Sequence, residues 1–262
     1  MIEDKIEVLK LKINKDDIGS LLNYSLKAIE NNEKFYVCAP NAYVTVKANE
    51  DEELLAIING AKIAIADGMS SVWVSRTFKK FPLDKISGYK FFIEFSKLAN
   101  SKKNISYYFL GGINLKTLEK IKSNLKLEFP DIEVRGMYCP PYLDEMPEDI
   151  NKLIVEDINK CSPDVLWVGL SAPKQEKWIY KNLNSINIKM ACGIGAVFDF
   201  YSENIKRAPA WIQNIGLEWL FRMFAEPRRL FKKYMVHNSK FMLLVAREYV
   251  FKNKNKKGTV LF

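Results

Sequence analysis

Residues 163–178 read PDVLWVGLSAPKQEKW. The run Val165-Leu166-Trp167-Val168 is apolar without alternation, which is the pattern of a strand buried on both faces of a parallel sheet. The chain then leaves through Gly169, Ser171, Ala172 and Pro173, residues that punctuate regular structure. Helical spacing resumes from Lys174, Gln175 and Glu176. A buried strand, a short exit and a helix start form part of a βαβ unit, and open α/β sheets hold ligands at the carboxyl ends of such strands.

The same rhythm extends in both directions. The spacing predicts strands over Phe35–Cys38, Ile63–Ala66, Ser106–Leu110, Ile132–Met137, Val165–Leu170 and Lys189–Cys192. Between them, apolar residues three and four apart predict helices over Glu52–Asn59, Ser70–Phe78, Leu115–Leu127 and Asp149–Lys160. The expected fold is α/β, a Rossmann-like, largely parallel sheet flanked by helices and joined by right-handed crossovers. Ahead of it stand a lead-in strand over Ile6–Ile13 and a helix capped by Asp16 or Asp17.

Charge divides the chain unevenly. The net charge is +9, yet from Ile205 to Phe262 there are 13 Lys and Arg against three acids, a local net of +10. A near-neutral α/β body over residues 1–204 therefore carries a basic, aromatic-rich, amphipathic helical appendage over 205–262. Helices of that kind either lie in an anionic membrane interface or pack on the sheet with their charge outward. The concentration of charge at one end favours the membrane over general nucleic-acid binding. The amino-terminal segment MIEDKIEVLK lacks the apolar core of a signal peptide, and no run of 18 apolar residues occurs. The expected location is inside the cell.

Cys38, Cys139, Cys161 and Cys192 have no metal-ligand spacing, and reduced thiols are expected. No Asp-x-Asp pair is present to hold a divalent cation against a nucleotide sugar, so metal-assisted chemistry is not indicated. The single histidine, His237, lies in the appendage and reads as packing or surface.

Strand ends supply the chemistry. Asp67 follows Ile63-Ala64-Ile65-Ala66 and precedes Gly68. It is either a general base facing a ligand or part of an Asp-Gly turn that starts the next helix. Asn41 is a ligand contact or a helix cap. Gly111-Gly112, Gly193 and Gly195 let backbone approach a ligand. Lys174 and Gln175 suit phosphate or sugar, with a solvated first turn as the plain alternative. Arg207, Arg222, Arg228 and Arg229 offer guanidinium forks for a diphosphate.

These stretches together resemble the WecG/TagA/CpsF family, glycosyltransferase family 26. The likeness runs through APNAYVTVKA, AKIAIADGMSSVW, ISGYKFF, YYFLGG, PDVLWVGLSAPKQEKW and GIGAVFDF to RAPAWIQNIGLEWLFRMFAEPRRLFKKY. The resemblance implies inverting, metal-independent transfer of an N-acetylhexosamine-type sugar, N-acetylmannosamine or its relatives, from a UDP donor. It needs no cofactor beyond the UDP-sugar itself. The implied acceptor is a polyprenyl-diphosphate-linked N-acetylglucosamine, and the products are teichoic acid linkage units or other cell-surface polysaccharides. By the same resemblance Asp67 is the base, while Asn41, Lys174, Gln175, Gly193 and Gly195 belong to the substrate pocket. Arg222, Arg228 and Arg229 would stabilise the departing diphosphate, with the enzyme peripheral on the inner face of the plasma membrane. Oligomeric state is left open, a homo-oligomer included.

Two positions depart from the pattern. Many relatives carry Thr where Ala39 stands, and often Asp where Lys90 follows Ser87-Gly88-Tyr89. Two other readings were weighed. A nicotinamide-dependent dehydrogenase would want a full glycine fingerprint after the first strand, and Gly193-Ile194-Gly195 lacks the third glycine. A non-enzymatic membrane-peripheral scaffold gives no reason for polar groups gathered at strand ends.

Overall fold

The computed structural model describes residues 2, 4–141 and 145–251. Two short strands, β1 (Lys5–Val8) and β2 (Leu11–Asn14), come first, then α1 (Ile18–Glu30) and β3 (Phe35–Cys38). Helices α2 (Ala42–Glu50) and α3 (Glu52–Gly60) lead to β4 (Ile63–Ala64), α4 (Met69–Phe78) and α5 (Gly88–Lys102). Next are β5 (Ser106–Gly111), α6 (Leu115–Glu128), β6 (Glu133–Tyr138), α7 (Glu148–Cys161) and β7 (Val165–Gly169). The body closes with α8 (Lys174–Asn182), β8 (Met190–Gly193) and α9 (Val197–Tyr201). Three further helices, α10 (Ala210–Asn214), α11 (Glu218–Ala225) and α12 (Pro227–Val245), end in a π-helical turn over Ala246–Phe251.

Six strands form one parallel sheet in the order β4-β3-β8-β7-β5-β6. Central strands alternate between two cores, so both alternating sets must be apolar. Leu166 and Val168 enter one core while Val165 and Trp167 enter the other. Connections toward the β4 edge carry α2, α3, α7 and α8, which bury Val44, Leu54, Ile154 and Trp178 in the first core. Connections toward the β6 edge carry α5 and α6, which bury Phe91 and Leu118 in the second. Opposite directions on opposite faces are what a single crossover handedness requires.

The first strand expectation needs correction. Ile6–Ile13 is not one strand but the β1–β2 antiparallel hairpin, turning at Leu9 (φ 49°) and Lys10 (φ 68°). Two positive φ values match the twist of a two-residue hairpin. The Asn59 side chain ties that turn down, accepting from the Lys12 amide at 2.8 Å and donating to the Lys10 carbonyl at 3.0 Å. Asp17, not Asp16, caps α1 through the Ser20 amide. The β4 strand stops two residues earlier than its apolar run, because the Asp67 amide turns back onto the Ile65 carbonyl at 2.9 Å.

The carboxyl-terminal helices lie against the body. Phe241 and Val245 of α12 join the first core. Lys240 pairs with Glu50 of α2 at 2.6 Å, and the His237 ring stands 4.6 Å from that of Tyr43. Pro227 opens α12, where a missing amide hydrogen costs nothing. No helix among the described residues is long and apolar enough to cross a membrane.

Candidate active site

Four neighbouring strands, β4, β3, β8 and β7, deliver their carboxyl ends to one edge of the sheet. At about 4.8 Å per strand, the β4 and β7 ends stand roughly 14 Å apart. Asp67 marks the β4 end and Gln175 the β7 end.

Gln175 begins the first turn of α8 and is 5% exposed. Its Nε2 donates to Glu176 Oε1 at 2.9 Å, which fixes the amide plane and turns Oε1 the other way. That Oε1 is buried and accepts no hydrogen bond. An orphaned buried acceptor is costly, and a donor group on a ligand would relieve it. Gly193 makes room for the amide, since a Cβ there would lie 2.9 Å from Gln175 Nε2. Gly195 lies beside the same amide. Lys174 precedes Gln175 in the half-buried first residue of α8.

Asn41 serves as the cap of α2, accepting from the Val44 amide at 3.2 Å. Gly111 is consumed by packing rather than by ligand access. A Cβ there would lie 2.5 Å from the Gly169 backbone on the adjacent strand.

Asp67 sits in different surroundings. Gly68 (φ 87°) starts α4, a conformation that favours glycine, and α4 has no side-chain cap. The Asp67 carboxylate is therefore not spent on starting that helix. Burial pushes its carboxyl up to about 6, and the Glu218 carboxylate of α11 adds to the shift. The Gly88 amide, Lys85 and Arg222 pull in the opposite direction. Two of these five influences, Glu218 and Arg222, come from the appendage.

Arg222 is itself largely enclosed. Its guanidinium stands 5.0 Å over the Phe200 ring and 3.8 Å from Glu226, while its Nε is buried without a hydrogen-bond partner. Arg207 stacks on Tyr89 at 4.2 Å and bonds Glu218 at 2.9 Å. Lys85 donates to the Gln213 carbonyl at 2.6 Å. Arg228 is exposed in the first turn of α12, and no contact brings it to Asp67. Arg229 follows in the same helix, with its side chain outside the described residues.

A cavity of about 550 Å³ opens between α4, α5 and the appendage, lined by residues including Met69, Arg76, Lys85, Tyr89, Lys90 and Arg207. Both departures noted in the sequence border this region. Lys90 lines the cavity, and the Ala39 Cβ lies 3.9 Å from where a Gly88 Cβ would be. Among the described residues no three His, Cys, Asp or Glu side chains are grouped to hold a metal ion.

Arg76 and Lys85 fall outside the stretches that carry the resemblance, while Glu176 and Glu218 lie within KQEKW and GLEW without a role assigned from sequence. The available signals were this membership and the placement of Glu176 directly after Gln175 at a strand end.

Residues 6–255 match the glycosyl transferase WecG/TagA/CpsF family. The chain belongs to this family. It is a glycosyltransferase. An N-acetylglucosaminyldiphosphoundecaprenol N-acetyl-β-D-mannosaminyltransferase of Bacillus subtilis (strain 168) is 30% identical over 83% of this chain and 79% of its own length. Proteins of the same name are 28% identical in Bacillus spizizenii, over 77% and 75% of the two chains, and 26% in Staphylococcus aureus (strain MRSA252), over 78% and 77%. In this WecG/TagA/CpsF protein, Asp67 stands in a strand-end site shared by body and appendage.

Proposed function

We propose that this glycosyltransferase moves N-acetylmannosamine or a closely related N-acetylhexosamine from a UDP donor onto a polyprenyl-diphosphate-linked N-acetylglucosamine. The polymer served is a teichoic acid or another cell-surface polysaccharide. The names of its relatives support the sugar and the acceptor. The observation that carries the chemistry is Asp67, a strand-end carboxyl raised to about 6 by burial and by Glu218, with the cations Lys85 and Arg222 acting on it in the opposite sense.

In this reading the acceptor hydroxyl oxygen attacks the anomeric carbon as the bond to UDP breaks, which inverts that centre. The hydroxyl proton passes to Asp67, a carboxylate above pH 6 and a stronger base than an ordinary aspartate. Negative charge grows on the departing diphosphate. Arg222, with an unsatisfied buried Nε, and its neighbouring cations stabilise it without a metal ion. Gln175 Oε1 accepts from the donor, with Gly193 and Gly195 keeping that pocket open. Lys174 adds charge at its rim, and Asn41 shapes the pocket floor as the cap of α2. Arg228 and Arg229, at the start of α12, are further candidates to bind the departing diphosphate.

The appendage also places the enzyme on the inner face of the plasma membrane. Trp211, Phe224, Phe231 and Leu243 are all more than half exposed on the helices of the appendage, of which α12 is strongly basic, a combination that inserts into anionic interfaces.

The test is turnover of a panel of UDP sugars with a soluble short-chain prenyl-diphosphate N-acetylglucosamine, with and without EDTA. Product from one donor, unchanged by EDTA and reduced about 10²–10⁴-fold in Asp67→Asn, is expected. Undiminished product in Asp67→Asn would remove the base from the scheme.

A further inference from the structure

The cavity between α4, α5 and the appendage is rich in positive charge. Arg76, Lys85, Lys90 and Arg207 line it, against one carboxylate, Glu94. Lys85 and Arg207 are partly engaged by Gln213, Glu218 and Ser87. Arg76 and Lys90 are exposed and make no ion pair among the described residues, which leaves both cations available to an anionic ligand. At the adjoining first turn of α4, the Ser70 and Ser71 hydroxyls are buried without hydrogen-bond partners. That helix also has no side-chain cap. Apolar side chains Met69, Val72 and Ile93 and the Tyr89 ring complete the wall.

We infer that this cavity holds the sugar diphosphate of the acceptor, with Arg76 and Lys90 gripping the phosphates and the apolar wall carrying the hexosamine face. The inference rests on the transferase reading. Two observations separate this ligand from the donor, and a third is compatible with it.

The first is contiguity with the base. Lys85 lines the cavity and acts on Asp67, and the lining Ser87 adjoins Gly88, whose amide bonds the Asp67 carboxylate. Asp67 stands just behind that end of the wall, so the ligand of this cavity is the one whose hydroxyl gives up its proton, and that is the acceptor. The second is separation, because the orphaned Gln175 acceptor lies at the β8 end beside Gly193 and Gly195, two strand spacings or about 10 Å from the β4 end. A second ligand-directed group is thus left for the donor. The third is size. A volume of about 550 Å³ lies within the ordinary range for one small ligand and suits a sugar with a diphosphate. Guanidinium and ammonium groups placed past that sugar match a doubly charged linkage.

The experiment uses the full-length chain and the double variant Arg76→Gln/Lys90→Gln, both exposed positions whose replacement leaves the cores intact. Direct binding of the short-chain prenyl-diphosphate N-acetylglucosamine, measured without donor, is expected to weaken at least tenfold. The acceptor KM should rise in step, while the donor KM and UDP binding stay within twofold. Arg76→Lys/Lys90→Arg should restore most of the loss.

Unchanged acceptor binding, or a parallel rise in donor KM, overturns the assignment. Partition onto phosphatidylglycerol–phosphatidylcholine vesicles should stay within twofold. A vesicle loss equal to the acceptor loss would instead assign the two cations to lipid headgroups. UDP binding by the unaltered protein reports separately on the transferase reading. Its absence alongside intact acceptor binding would sink that reading and spare the cavity assignment.

Discussion

At the β7–β8 end of the sheet, Gln175 is held by its immediate sequence neighbour Glu176 and by a glycine of the adjoining strand. At the β4 end, Asp67 is governed by Lys85 and Gly88 from the segment that follows α4 and by Glu218 and Arg222 from α11. One half of the site is written into two adjacent βα junctions. The other is buried in the body and completed by the appendage that lies against it. The first should therefore be rigid and dry, and the second should depend on how the carboxyl-terminal helices sit.

Removing one group from each half probes that contrast. The larger of the two effects is expected for Arg222→Ala, about 10²-fold in kcat, because in the proposed reaction the enclosed guanidinium meets charge that develops only as UDP leaves. Steady-state kinetics with the matched donor decide it. A loss of thermal stability with kcat intact would reduce Arg222 to a packing residue of the appendage.

A smaller effect is expected for Gln175→Ala, about tenfold in donor KM with kcat little changed. It removes one hydrogen bond to a bound group and leaves the β4 end untouched. Calorimetric titration of UDP-sugar into the variant checks this. A kcat loss as large as that of Arg222→Ala would mean that the two ends of the site do not divide binding from chemistry.

The legible parts of the chain are those where a local pattern mirrors burial. The β7 strand lies between two cores, so every residue in Val165–Val168 had to be apolar, and its exit motif named the site edge. Phe35–Cys38 has the same continuous burial and the same legibility. The hairpin was missed because Leu9 and Lys10 hold positive φ without the Gly or Asn that usually announces such a turn. The run Ile63–Ala66 looked like four strand residues because all four are buried, yet burial continues past the point where the ladder ends.

The site divides along the same line. Asp67, Asn41 and Gln175 stood out because each follows an apolar strand, although only the structure shows Asn41 capping α2. Arg76 and Lys85 are single charges in segments rich in charge, and Glu218 is one acid in a basic tail. Their placement beside Asp67 or its cavity comes from tertiary packing, which leaves no trace in spacing.

Asp67, the proposed base, takes part of its proton affinity from a carboxylate on the appendage. Burial raises the Asp67 carboxyl most, and Glu218 adds to it. The active form is the carboxylate, so kcat/KM should fall as pH drops through about 6. Glu218→Gln removes a negative neighbour and frees Arg207 from its ion pair. Both changes favour the charged form of Asp67 and move the acid limb to lower pH. The decisive measurement is the pH profile of kcat/KM for the full-length enzyme and for Glu218→Gln. An acid limb near pH 6 is expected, shifting to lower pH in the variant. A limb that stays in place, or moves upward, would contradict the influence of Glu218.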